Sequence, residues 1–165
     1  MHFLLLFAVV AVSGWAEDRG VGHWRFDKDA TVYESSAGPA RSVRIWEVTG
    51  QSEVRFTHRT RGSSGRQGLT SFTARYDGGR YAVHGSSRYD TVALKLVDPN
   101  TVEQTFRKGE EITVRARRVI SPDGGTMTIT ATGKNPDGKD FRNVMVYRRC
   151  PDAAACEQYL SRETR

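Results

Sequence analysis

Cysteine is scarce in this 165-residue chain: there are 2, Cys150 and Cys156, both near the carboxyl end. Two thiols make a poor zinc site, which takes four ligands, and their spacing is not the C-x-x-C of a redox centre. Long apolar runs are missing too. The longest, Phe3–Val12, is about ten residues, half of the roughly twenty that a membrane-spanning helix needs. Like charges never run five in a row, so no basic or acidic tail is present. The signatures of common catalytic sites are absent: no Gly-x-Ser-x-Gly elbow, no phosphate-binding P-loop, and no His-x-His or His-x-x-x-His pair among the 4 histidines.

The short apolar run has a use of its own. Small residues follow it at Gly14 and Ala16, the −3 and −1 positions of a cleavage site before Glu17. Met1–Ala16 therefore reads as a secretory leader, with a weak amino-terminal region that holds His2 but no Lys or Arg. The mature chain is expected to be secreted or periplasmic. Such a compartment is oxidising, which predicts a Cys150–Cys156 disulfide acting as a clip on the tail.

The net charge is +6 and the sequence pI about 9.6. Arginine supplies most of the positive charge. Acidic residues are interspersed throughout, which is the pattern of a solvated basic surface. Arg107, Lys108, Arg115, Arg117 and Arg118 lie on one predicted hairpin and define a candidate patch for an anionic envelope component. No aromatic residues alternate with these charges, so a platform for single-stranded nucleic acid is not expected.

What dominates is alternation. Apolar and polar residues trade places every second position through Gly22–Phe26, Val43–Val48, Glu53–His58, Ser71–Tyr76, Val92–Val97, Val102–Phe106, Ile112–Arg117, Met127–Thr132 and Val144–Tyr147. This is the period of half-buried antiparallel strands. Turn sequences such as Asp77-Gly78-Gly79, Asp98-Pro99-Asn100 and Pro122-Asp123-Gly124-Gly125 separate them. Such links are too short for parallel crossovers. The longer links are Asp27–Ala40, Arg59–Gly68 and His84–Asp90. An all-β fold follows: an up-and-down antiparallel barrel of about 8–10 strands over residues 17–149, closed because an open meander would leave two bare edges. Residues 150–165 form a tail with one short helix, capped by Asp152 and carrying Cys156, Tyr159 and Leu160 on one face.

Gly22-x-Trp24 on the opening strand, Phe72-x-Ala74-x-Tyr76-Asp77-Gly78, the turn Ser121–Gly124 and the ending Asn143-Val144-x-Val146-Tyr147 resemble the calycin superfamily, and in particular small secreted bacterial proteins of lipocalin type. The resemblance covers about Gly22–Arg149. It implies that Trp24 plugs the closed end of the barrel and that a late basic residue, Arg148 or Arg149, packs across the indole. It also implies a small apolar or amphipathic ligand inside the barrel.

The alternation assigns Trp24, Val43, Ile45, Val54, Phe56, Phe72, Val92, Leu94, Phe106, Ile112, Val114, Met127, Ile129, Val144 and Val146 to the interior. Phe56, Phe72, Leu94, Phe106, Val114 and Met127 are the candidate ligand-contacting side chains, with Gln104 orienting a polar head. The same residues can also fill a small barrel completely, so pocket and solid core both stay open. His23, His58 and His84 are scattered over three segments and read as surface or rim residues; no metal or cofactor is expected. Ser86 lies near His84 and Asp90 on one link, which is no catalytic triad by itself, and the chain reads as a non-enzyme.

Overall fold

The structure, a computed structural model, describes residues 17–34, 38–135 and 137–162. The expected leader, Met1–Ala16, lies outside the described residues. Ten strands run in chain order: β1 (Gly22–Val32), β2 (Arg41–Gly50), β3 (Glu53–Arg61), β4 (Gln67–Arg75), β5 (Tyr81–His84), β6 (Thr91–Asp98), β7 (Thr101–Lys108), β8 (Glu111–Ile120), β9 (Thr126–Lys134) and β10 (Asp140–Arg149). Each pairs antiparallel with its sequence neighbours, and β10 pairs with β1 to close the barrel. Closure gives every strand two partners and leaves no edge exposed.

Three stretches differ from the sequence reading. The first strand continues past Phe26 to Val32, because residues 28–31 bulge out between the pairs Asp27↔Val146 and Val32↔Val144. Asp27 and Thr31 hold that bulge. The Thr31 hydroxyl donates to the Asp27 carbonyl (2.7 Å) and accepts from the Val146 amide (2.9 Å). Half of Arg59–Gly68 is strand rather than link, with β3 and β4 paired out to Arg61↔Gln67. Strand β5 is short and lacks an alternating run, so sequence pattern passed over it.

The core is a continuous inner wall from Trp24 and Phe26 round to Met145 and Tyr147. Two strands face the opposite way from expectation. On β2 the inward residues are Arg44 and Trp46, while Val43 and Ile45 face outward beneath helix α1 (Ala153–Ser161). On β10 the inward row is Phe141, Asn143, Met145 and Tyr147; Val144 and Val146 face out. In both strands the larger side chains fill the interior and the β-branched pairs take the outer face.

Helix α1 starts at Asp152, whose carboxylate accepts from the Ala155 amide (2.8 Å). Cys156 is bonded to Cys150, and with Leu160 and Val43 they form a small second cluster on the outer wall. Among the described residues no helix is long and apolar enough to cross a membrane. The formed disulfide is compatible with an extracellular or periplasmic setting.

The alternating direction of the strands puts the described link residues 33–34, 38–40, 62–66 and 85–90 at one end of the barrel. The other end is closed by residues 17–21. Arg19 reaches the β6–β7 and β8–β9 turns, its amide bonding the Pro99 carbonyl (2.8 Å) and its guanidinium the Asn100 side chain (2.8 Å) and the Pro122 carbonyl (3.0 Å). Trp24 is fully buried and donates to the Gly20 carbonyl (2.8 Å). Its cationic partner is Arg149, 4.1 Å above the indole, which also donates to the carbonyls of Arg19, Val21 and Gly124. Arg148 instead pairs with Asp27 (2.8 Å) on the outer wall, because β10 alternates and only one of the two can lie over the plug.

Candidate ligand site inside the barrel

Towards the open end the core is incomplete. A cavity of about 150 Å³ is enclosed by side chains from β2, β3, β4, β7, β8, β9 and β10 together with Tyr33, Arg88 and Tyr89 from the links at that end. Of the candidate contact residues, Phe56, Gln104, Phe106 and Val114 line it. Phe72, Leu94 and Met127 are buried in the packed core and do not reach it; Phe72 lies instead against Phe56 and Trp46, with ring centroids 4.8 and 5.8 Å away.

The side chains that give the cavity its character are ones the alternation did not single out. Arg44 projects into it, its guanidinium 5.0 Å from the Tyr147 ring and 5.5 Å from the Phe56 ring. Its Nε has no hydrogen-bond partner. Burial works against the charge, but the Tyr147, Tyr33 and Tyr89 phenols outweigh it and hold the pKa above the ordinary arginine value. Opposite Arg44 in the β2–β3 ladder stands His58, whose Nε2 is buried and unpartnered. Burial first, and then the charge of Arg44, push the His58 pKa well below the usual imidazole range, so the ring is neutral. It is not the surface or rim histidine expected from sequence. The Gln104 side-chain nitrogen is a third buried polar atom without a partner. Among the described residues, no aspartate or glutamate lines the cavity.

The link 85–90 lies across the mouth. The Tyr89 ring packs against Phe106 at a 42° tilt with centroids 4.6 Å apart, and the Arg88 guanidinium sits 5.3 Å over Phe141 while reaching the Lys134 carbonyl (3.4 Å). Asp90 anchors the strap by accepting from the Gly109 amide (3.1 Å), and Gly109 can present that amide because its φ of 57° suits glycine. On β10, Asn143 fixes the opposite rim by accepting from the Glu34 amide (2.9 Å).

The expected basic patch is smaller than its sequence suggests. Arg115 and Arg117 do face outward. Arg117 pairs with Glu103 (2.9 Å), Lys108 with Asp90 (3.8 Å), and Arg107 donates to the Glu110 carbonyl (3.1 Å). Arg118 is not on the surface at all. It is completely buried at the closed end, where it pairs with Asp18 and lies 4.6 Å from the Trp46 ring. Among the described residues, no group of three or more His, Cys, Asp or Glu is placed to hold a metal ion.

The result is a closed ten-stranded up-and-down barrel with its first and last strands paired, Trp24 buried at one end and an internal cavity near the other. Among solved structures, the chain is similar to the zebrafish ileal bile acid-binding protein complexed with cholic acid, with a TM-score of 0.51 and 11% sequence identity over 81% of this chain and 100% of that one. The siderocalin Ex-FABP gives a TM-score of 0.45 with 13% identity over 86% of this chain and 83% of that chain. No protein-family model matches the chain, and no curated protein matches it either.

Proposed function

We propose that this protein is an exported, non-catalytic binding protein that holds a small amphipathic acid inside its barrel. The acid group lies against Arg44, and the apolar body packs on Phe56, Phe106 and Val114. One observation carries the reading: Arg44 keeps its charge inside the barrel while no carboxylate lines the cavity. A buried charge without a counter-charge is costly, and the cost is removed when a ligand supplies the anion. Gln104 and neutral His58 add two unpaired polar atoms to receive the same head group. The bile acid-binding protein of the same fold holds cholic acid, which is itself an amphipathic acid. The outer basic face supports an anionic partner less well, because Arg117 and Lys108 already have acidic neighbours.

Isothermal titration with decanoate and with decanol tests the assignment. Charge-assisted hydrogen bonds are worth about 1.5–3 kcal/mol, so the acid is expected to bind at least about tenfold more tightly than the alcohol. Arg44→Leu should erase that preference. Equal affinity for acid and alcohol in the unaltered protein, or no uptake of either, would overturn the proposal.

A further inference from the structure

The wall of the barrel is split beside the cavity. The β8–β9 ladder stops at Val114↔Gly133, yet both strands run on. Beyond that pair, Ile112 and Glu111 are paired only with β7, and Lys134 only with β10. A register shift at Phe106/Arg107 draws the start of β8 towards β7. Past the last pair the Thr113 carbonyl lies against Gly133, and outside this contact the surface is indented by a crevice of about 580 Å³. Ile112, Val114 and Phe141 form its apolar part, while Glu111, Arg115 and Arg142 are among the charged groups at its rim. Val114 and Phe141 line both the crevice and the interior cavity, and the Phe141 ring and the Thr113 carbonyl meet over Gly133 between the two spaces.

Volume decides what this means. The interior alone, at about 150 Å³, has room for the share of about five water molecules. Pockets for small organic ligands run from about 300 to 1,000 Å³. The mouth offers no ready extension, because Arg88 and Tyr89 already occupy it. The crevice does, since no ladder hydrogen bonds join β8 to β9 there and the Phe141 ring is the partition.

We infer that the cavity and the crevice are two halves of one binding passage, with Phe141 as the gate, and that its ligand is an elongated amphipathic acid whose tail leaves the barrel between β8 and β9. The inference rests on the acid-binding reading above and adds a route and a length to it. With the head held at Arg44, a short chain stays inside, whereas a longer one displaces the Phe141 ring and lies along Val114 and Ile112. Affinity should then depend on the outer surface of β9, which a ligand confined to the interior never touches.

The test is displacement of the fluorescent probe 11-(dansylamino)undecanoic acid from the purified protein by saturated fatty acids of eight to sixteen carbons. Thr132→Trp fills the crevice from its exposed side, and Glu111→Trp does so from the other strand should the first variant fail to fold. In the unaltered protein, affinity is expected to climb at least about tenfold along the series. The crevice-filling variants should abolish the climb and leave octanoate binding within about twofold. A climb that persists in the variants, or an affinity independent of chain length in the unaltered protein, overturns the passage while leaving the interior acid site standing. Failure of every acid, octanoate included, to bind the unaltered protein overturns the interior site and the passage together.

Discussion

Arg44 and His58 are direct partners across the β2–β3 ladder, and their environments act on them in opposite senses. The arginine keeps its proton despite burial, whereas the histidine is denied one by burial and by the arginine's field. In the unfolded chain His58 takes up a proton near its ordinary pKa of 6.5; in the folded chain it does so only at much lower pH. Below about pH 6.5 the unfolded state therefore binds more protons, and stability falls as pH falls, by up to about 1.4 kcal/mol per pH unit for this one group. Urea denaturation between pH 7.5 and 5.0 should show that loss, and His58→Gln should flatten it; identical pH slopes in the two proteins would mean that His58 is not a buried neutral group. Part of this was legible in the sequence. The row Val54–Phe56–His58 puts the ring on the same face as two core residues, and Gln104 was found in the same way between Val102 and Phe106. Arg44 was hidden because a charged residue between Val43 and Ile45 reads as the solvent side of a strand.

Strands β2 and β10 show why a site blurs the pattern that builds it. Alternation locates a strand well and assigns its face only when one face is polar. On β2 both faces carry apolar residues, since α1 covers the outside as the core covers the inside. On β10 the inward row contains Asn143 and the outward row contains Val144 and Val146, so the polar member needed at the rim inverted the reading. The helix was the more legible element. Asp152 caps it, Cys156 and Leu160 bury its inner face, and the Tyr159 hydroxyl donates to the Phe26 carbonyl (2.9 Å). The Cys150–Cys156 bond, six residues apart, ties this helix to the end of β10. Replacing both cysteines by serine should lower stability by about 2–3 kcal/mol. It should also increase binding of an apolar dye as Val43 and Ile45 become exposed, with no change in the affinity of the interior acid site. A double variant as stable as the parent, with no extra dye bound, would show that packing alone holds the helix.

At the scale of the whole molecule, closure takes two steps: β10 meets β1 around the circumference, and residues 17–21 seal one end. The first was readable from nine short alternating segments joined mostly by short turns. The second was not, because Glu17–Val21 shows no period and its anchor lies one hundred residues away. That anchor is Arg118, completely buried beneath Trp46, with Asp18 as its carboxylate partner and Tyr76 donating to the other Asp18 oxygen. Gly20 is required beside it, since a Cβ there would collide with the Arg118 guanidinium. The Nε and Nη1 of Arg118 have no partner, so Asp18 is what compensates the charge. Removing one member of a buried pair strands the other and costs about 3–5 kcal/mol, whereas replacing both with apolar groups is often close to neutral. Asp18→Asn should therefore destabilise the barrel by about that amount in urea denaturation, and the double variant Asp18→Asn with Arg118→Met should recover most of the loss. If Asp18→Asn cost less than about 1 kcal/mol, residues 17–21 would not be seated on Arg118, and the closed end would be held by Arg19, Trp24 and Arg149 instead.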